Sequence, residues 1–291
     1  MDKNGQRRIP DVSFRPVLGT PAGIEVCDFA ELPIRARNHG VNPFEPARLT
    51  FHTLITVRSG RLRHIVDVVD HTLGPDDWLW VRPGQVHQFT PDLYRADGLI
   101  LYFSASYLDT ATVAAALADE PIHQRPVRPA SSDRLALHAT SDLLRAEYQR
   151  KTALPDAVRV ELARHLLTTI VLRLAHLQDV DHPVRAGGDA FHRFRRAVEQ
   201  NYMHTHRVAD YARELGYSTR TLTRAALAAT GHGAKTYIDD RVLLEAKRLL
   251  VHTDLPAAAI GARVGLPDPT AFNRFFRQRT GTTPAAFRTG A

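Results

Sequence analysis

The 291-residue chain has a single cysteine, Cys27. One thiol cannot close a disulfide within the chain, so packing alone must hold the fold, and a reducing compartment is the simplest setting. Long apolar runs are missing as well: no stretch approaches the roughly 18 residues that span a bilayer. The opening MDKNGQRRIP is polar where a secretory leader is apolar. These absences set the expectation of a cytoplasmic protein with no membrane partner. There is no phosphate-binding loop, dinucleotide-binding glycine fingerprint or G-x-S-x-G nucleophile turn. Acidic residues run short only at one end. Residues 1–185 hold 22 Lys/Arg and 22 Asp/Glu, whereas 186–291 hold 16 and 9, so the whole formal charge of +7 lies in the last third. A neutral body with a basic C-terminal domain points to a polyanionic partner for that domain.

What is present divides the chain by periodicity. Up to about residue 105 it is rich in β-branched and aromatic residues. The segments 49–57, 61–69, 77–81 and 97–103 read as strands, with a hairpin turn at 58–60 and a loop, RPGQVHQF, leading into another strand. Short strands at this spacing predict a sandwich or small barrel. From about 106 the period lengthens. A helix is expected over 131–150, and another over 156–178, where Val158, Leu162, Leu166 and Ile170 recur every four residues. That stripe suits a dimer seam or packing on the chain's own barrel. Residues 179–190, with Pro183, Gly187 and Gly188, read as a linker, and 191–291 as helices broken at Gly216, Gly231, Gly265 and Gly281. Ser218 and Asp268 are candidate N-caps.

The helical third repeats itself. VADYARELGYSTRTLTRAALAATG (208–231) aligns with LPAAAIGARVGLPDPTAFNRFFRQRTG (255–281) at a spacing of 49–50 residues. In each, a short helix ends at glycine, a turn follows and a capped second helix begins, which is the pattern of a helix-turn-helix. With Thr270 set at zero and 100° per residue, Thr270, Asn273, Arg274 and Arg277 fall within about 100°, and Phe272, Phe275 and Phe276 lie about 120–160° away from Thr270. One face is aromatic core. The other carries side chains that pair with base edges and phosphates. In the first copy Arg220, Thr223 and Arg224 share the polar face, and Leu227 stands where the second copy has Arg277. The segment between the copies, 234–253, is long enough for about 30 Å of helix, close to the roughly 34 Å between successive major grooves on one side of B-DNA.

On these residues the C-terminal hundred positions resemble the DNA-binding domain of the AraC/XylS family of bacterial transcriptional regulators. The closing signature IGARVGLPDPTAFNRFFRQRTGTTPAAFR (260–288) matches at nearly every position. The resemblance implies an α+β multidomain protein: a cupin-like β-barrel over 1–105, a helical dimerisation segment over 106–178, a linker over 179–190 and a double helix-turn-helix domain over 191–291. It implies that Arg220, Thr223, Arg224, Thr270, Asn273, Arg274 and Arg277 meet double-stranded DNA. A small-molecule effector, a second copy of the chain and RNA polymerase follow as further partners, with no cofactor. The chain departs from the family pattern at Leu266 and Ala226, usually Phe, and at Gly261, usually Ala. In the barrel, WLWVRPGQVHQF (78–89) resembles the family's Pro-Gly-x-x-His turn. His52, Trp80, Arg82, His87 and Tyr102 are candidate effector contacts on alternating strand positions, with the strand phase left open. A metal-dependent cupin enzyme is the rival reading. No His-x-His pair and closely spaced Glu support it, so no metal site and no catalytic residue is assigned. A ligand-independent DNA-binding protein is the third reading.

Overall fold

The computed structural model describes residues 9–15, 20–104, 106–116, 125–150, 154–181 and 188–290. Residues 10–182 and 183–291 form two compact units. In the first, the strands are β1 (Asp11–Val12), β2 (Ile24–Asp28), β3 (Ala47–Leu49), β4 (His52–Ser59), β5 (Leu62–Val66), β6 (Val69–Leu73), β7 (Trp78–Val81), β8 (Val86–Phe89) and β9 (Asp97–Phe103). A helix, α1 (Leu32–Asn38), follows β2, and α2 (Thr110–Ala115), α3 (Ser131–Gln149) and α4 (Asp156–Asp181) follow the last strand. The strands make two sheets, ordered β1-β3-β8-β5-β6 and β2-β9-β4-β7.

Strand alternation sorts the core into two layers. Ile55 and Val57 of β4, Leu79 and Val81 of β7 and Ile100 of β9 meet Leu62, Val66, Leu73 and Phe89 of the other sheet. The residues between them, Leu54, Trp78, Trp80, Leu99, Leu101 and Phe103, face Leu137 and Leu144 of α3 and Ala163, Leu167, Ile170, Val171 and Leu174 of α4. The order is therefore sheet, sheet, helices. The β2-β9-β4-β7 sheet is covered on both sides, so its strands are apolar throughout rather than alternating.

The strand expected over 61–69 is instead a hairpin, β5 and β6. It turns at Asp67, whose φ of 58° is a left-handed backbone that Asp tolerates better than most residues. The Asp67 carboxylate accepts from Val86 N and from Gln85 Nε2, each at 3.0 Å, which locks the hairpin to the turn before β8. The 131–150 and 156–178 helices occur as α3 and α4, and both share the barrel's core. Of the polar stretch 179–190, residues 179–181 continue α4, 188–190 begin the next helix, and 182–187 lie outside the described residues.

The second unit holds α5 (Gly188–Asn201), α6 (Val208–Leu215), α7 (Thr219–Thr230), α8 (Ala234–His252), α9 (Ala257–Arg263), α10 (Pro269–Thr280) and α11 (Pro284–Thr289). Helix α8 is the spine: it packs against α5, α6 and α7 on one side of the repeat and α9 and α11 on the other. No helix among the described residues is long and apolar enough to cross a membrane.

Candidate functional site

Helices α7 and α10 start and stop by the same devices. Ser218 Oγ accepts from Thr221 N at 3.0 Å, and an Asp268 carboxylate oxygen accepts from Thr270 N at 3.0 Å, each satisfying an amide left open at a helix start. Both helices end at a left-handed glycine, Gly231 (φ 75°) and Gly281 (φ 76°). One face of each is core: Leu222 and Ala226 in α7, Phe272 and Phe276 in α10, all fully buried. Phe275 is only half-buried and lies under the Arg279 guanidinium. The opposite faces are exposed, with Arg220, Thr223 and Arg224 on α7 and Thr270, Asn273, Arg274 and Arg277 on α10. The α10 set lines one open cleft together with Gln278 and with Thr283, the N-cap of α11. The cleft's outer wall is not legible in the sequence, because it depends on how α11 returns against α10.

The electrostatics separate two kinds of arginine. Arg241 holds Glu199 at 2.8 Å, Arg248 holds Glu245 at 3.2 Å, and Arg279 holds Asp239 at 2.6 Å and Asp240 at 3.0 Å. Arg288 donates to the carbonyls of Leu250 at 3.0 Å and Leu255 at 2.5 Å, closing the end of α8. These side chains build the domain. Arg220, Arg224, Arg274 and Arg277 make no ion pair or side-chain hydrogen bond with any described residue. A solvated guanidinium with its donors free is prepared for phosphate or for a guanine edge.

The two halves are keyed together at one point. His206 Nε2 lies 2.9 Å from both Tyr202 O and Val264 O, and since both are acceptors this nitrogen carries the proton. Beside it, Gly265 turns the chain at φ 80°, and a Cβ there would sit 2.6 Å from Met203 O. The turn between α9 and α10 thus rests on the loop that precedes α6.

In the barrel the five effector candidates do not converge. His52 and Trp80 lie on the helix-covered face of their sheet: Trp80 Nε1 donates to His52 Nδ1 at 3.3 Å, and His52 stacks on Phe103 at 4.8 Å. Arg82 stacks over Trp80 at 4.3 Å on that same side. His87 and Tyr102 point between the sheets. His87 Nδ1 is 3.2 Å from His64 Nε2, beside Phe89, and Tyr102 packs edge-on to Phe51 at 5.6 Å. Beyond the five, the structure adds His64 and His71, paired across the β5–β6 hairpin, and Thr53, opposite Tyr102. The buried His64 Nδ1 and Thr53 Oγ1 have no hydrogen-bond partner among the described residues. A turn at Asp67 and Val68 would have signalled the His pair, since residues 64 and 71 are equidistant from it. Burial keeps these histidines neutral. It lowers His87 to about 4 and His52 to about 3, the latter helped by Arg82, and it pushes His64 well down with help from His87 and His71. Burial likewise holds the Tyr102 hydroxyl protonated. The rings that meet between the sheets are neutral, and the buried charges nearest them are the Asp67 carboxylate, which acts on His87, and the Arg82 guanidinium, which acts on His52. Among the described residues no cluster of three His, Cys, Asp or Glu side chains is placed to hold a metal ion.

The expected dimer residues also divide. Val158 and Leu162 are exposed, at 43% and 39%, Leu166 is half-buried, and Ile170 is fully buried against the sheet.

Comparison with known proteins bears on both units. Residues 29–166 match the AraC-like ligand binding domain, and residues 211–290 match a helix-turn-helix domain. The HTH-type transcriptional regulator ExsA of Pseudomonas aeruginosa is 27% identical over 93 residues, which are 32% of this chain and 34% of that one. The arabinose operon regulatory protein of Escherichia coli is 31% identical over 83 residues, 28% of each chain. The matched stretch is thus about a third of these relatives' own length. Among solved structures, ToxT from Vibrio cholerae superposes with a TM-score of 0.39 at 11% identity, covering 91% of this chain and 97% of that one.

Proposed function

Because the chain belongs to the AraC/XylS family of bacterial transcriptional regulators, we propose that it is a sequence-specific DNA-binding regulator, an activator, controlled by a small molecule held in its barrel. Helices α7 and α10 enter successive major grooves. The reading rests on one observation: the two exposed polar faces, fifty residues apart in sequence, hold four arginines that make no ion pair or side-chain hydrogen bond with any described residue. Helix α8 has 19 residues, about 28 Å, a suitable spacer for two grooves. Arg274 reads a base edge. Arg277, one turn further from the helix start, meets a phosphate.

The effector is a compact molecule that meets His87 and Tyr102 between the sheets. Neutral histidines and a protonated tyrosine there favour an uncharged, hydroxyl-bearing ligand over a carboxylate. His52, Trp80 and Arg82 act from the other face of the sheet, supporting the barrel wall. Binding shifts activity through a different affinity for two arrangements of the protein, as linkage requires. The chain works as a homodimer on α4 and recruits RNA polymerase at the promoter.

The test is selection of genomic fragments by the purified full chain, followed by affinity measurement on the recovered sites. Arg274→Ala is expected to weaken specific binding by about 1–3 kcal/mol and to relax base preference at one position. Recovery of no common sequence, or unchanged affinity in the variant, would sink the reading.

A further inference from the structure

Helix α10 is tied down at both ends, and by different parts of its unit. Its C-terminal turn is held to the start of α8, where Arg279 meets Asp239 at 2.6 Å and Asp240 at 3.0 Å. Its N-terminal end follows the α9–α10 turn, which is closed by two bonds of its own. Leu266 N donates to Gly261 O at 2.8 Å, and Gly265 N to Ala262 O at 3.3 Å. Neither bond uses the Val264 carbonyl. That oxygen accepts instead from His206 Nε2 at 2.9 Å, across 58 residues of chain. His206 lies in the loop before α6, and the loop is fixed there: Tyr211 Oη donates to Thr205 O at 2.9 Å, and Thr205 Oγ1 to Asp210 at 2.5 Å. The first copy of the turn closes in the same way, with Tyr217 N on Ala212 O at 2.9 Å and Gly216 N on Arg213 O at 3.4 Å. A Cβ at Gly216 would nevertheless meet nothing within 4 Å, whereas one at Gly265 would lie 2.6 Å from Met203 O and 3.0 Å from His206 Nε2. At this glycine the second copy is docked on a neighbour and the first is open.

We infer that His206 is a positioning residue for DNA recognition: through Val264 it fixes the angle of α10 relative to α7, and so sets the spacing of half-sites that the protein accepts. The inference rests on the two-groove reading of the proposed function. His206 acts through the turn and not on the DNA. It is half-buried, and its Nε2 hydrogen is shared between Val264 O and Tyr202 O. Tyr202 in turn lies under the Arg241 guanidinium of α8, 4.0 Å from it. Loop, turn and spine therefore meet at one point. With the latch open, α10 pivots on its Arg279 end. Thr270 stands nine residues before Arg279, about 14 Å along the helix. A tilt of about 10° carries Thr270 sideways by about 2 Å, more than the whole range of hydrogen-bond lengths. The N-terminal half of the helix, with Thr270, Asn273 and Arg274, is the part that a loosened turn misplaces most.

The test is a spacing series with the full chain. On a recovered site whose footprint covers two grooves, one base pair inserted between the half-sites moves the second by about 34° and about 3.4 Å. The wild-type chain is expected to lose about tenfold or more in affinity, the cost of misplaced base contacts. His206→Leu, of similar bulk and without a donor, should bind the original site about three- to tenfold more weakly and lose less than about threefold on insertion. His206→Gln, whose amide carries one hydrogen for each carbonyl, should restore both values. Gly265→Ala keeps His206 and pushes the same turn off Met203, so it should reproduce the shallow spacing dependence even where His206→Leu fails to fold. A mere loss of stability lowers affinity equally at both spacings and leaves the penalty unchanged. A His206→Leu or Gly265→Ala chain with wild-type circular dichroism and the full penalty would overturn the inference, as would a wild-type chain that covers two grooves yet is indifferent to their spacing. A wild-type footprint of one groove would instead remove the two-groove reading, and the inference with it.

Discussion

Arg277 and Arg279 are two residues apart on α10 and opposite in circumstance. Arg279 is a structural cation: it bridges Asp239 and Asp240 of α8 and lies over the Phe275 ring. Asp239 is buried, so losing Arg279 strips one of its two cations and leaves Lys235 alone to compensate it. Arg279→Ala should therefore cost about 1–3 kcal/mol of stability, read as a lower urea midpoint. Arg277→Ala should leave that midpoint alone and weaken DNA binding equally on all sequences. A stability loss at Arg277, or none at Arg279, would contradict the division. Two glycines make a similar contrast. Gly216 and Gly265 both turn left-handed after a short helix, at φ 70° and 80°. Nothing lies within 4 Å of a Cβ at Gly216, whereas at Gly265 the Met203 carbonyl is in the way. Gly216→Ala should cost only the backbone strain, about 1 kcal/mol, and Gly265→Ala about 1–3 kcal/mol more for the overlap. Equal losses in denaturant titrations of the two variants would show that the loop before α6 yields freely.

Among elements, α10 is legible in the sequence in all but Phe275, which is half-buried under Arg279 and not in the core, and β4 is not. A helix with one face buried writes its orientation as a 3.6-residue period, and Phe272 and Phe276 set against Asn273 and Arg274 leave one solution. A strand writes its orientation as alternation, and β4 and β9 lie between a second sheet and two helices, so both faces are apolar and the alternation is erased. That is why the sequence groups His52 and Trp80 with His87 and Tyr102 although the pairs lie on opposite faces. The β5–β6 hairpin is hidden for a different reason, since a left-handed Asp67 between Val66 and Val68 carries no glycine to mark it. The same burial makes a prediction. His52, His64 and His87 are neutral in the fold, with pKa values held below 6.5 by desolvation. Below pH 6.5 the unfolded chain gains protons that the folded one refuses, so stability falls as pH falls from about 6.5 towards 4, by up to about 1.4 kcal/mol per pH unit for each histidine. Trp78 and Trp80, the chain's two tryptophans, both sit in this unit, so their fluorescence reports its unfolding. Its midpoint in urea should drop between pH 7.5 and pH 5. A pH-independent midpoint would mean that these rings are charged in the fold.

At the scale of the whole molecule the two helices proposed to read DNA differ in their exposed faces, and the difference can be moved. The entire formal excess of +7 lies in residues 186–291, so salt dependence should belong to that unit. Within it α10 presents two unpartnered arginines and a clefted surface, and α7 presents two unpartnered arginines and Leu227, 54% exposed where its counterpart is Arg277. Solvation of Leu227 makes it a position whose replacement disturbs no core. Installing the missing cation, Leu227→Arg, should add one phosphate contact to the first reader. Each such contact steepens the fall of log affinity with log salt by about 0.9 on B-DNA. The variant should bind more tightly at low salt, lose that gain as salt rises, and strengthen protection of the first groove in a footprint. Arg277→Leu should flatten the slope by the same amount and weaken the second groove. Joining the two changes should return the slope to the wild-type value while exchanging which groove is better protected. The measurement is a salt titration of affinity on a recovered site for all four proteins. A Leu227→Arg slope that matches the wild type would show that this face of α7 stands clear of the phosphates. The duplicated helix-turn-helix would then engage DNA through α10 with α7 contributing only at its N-terminal turn.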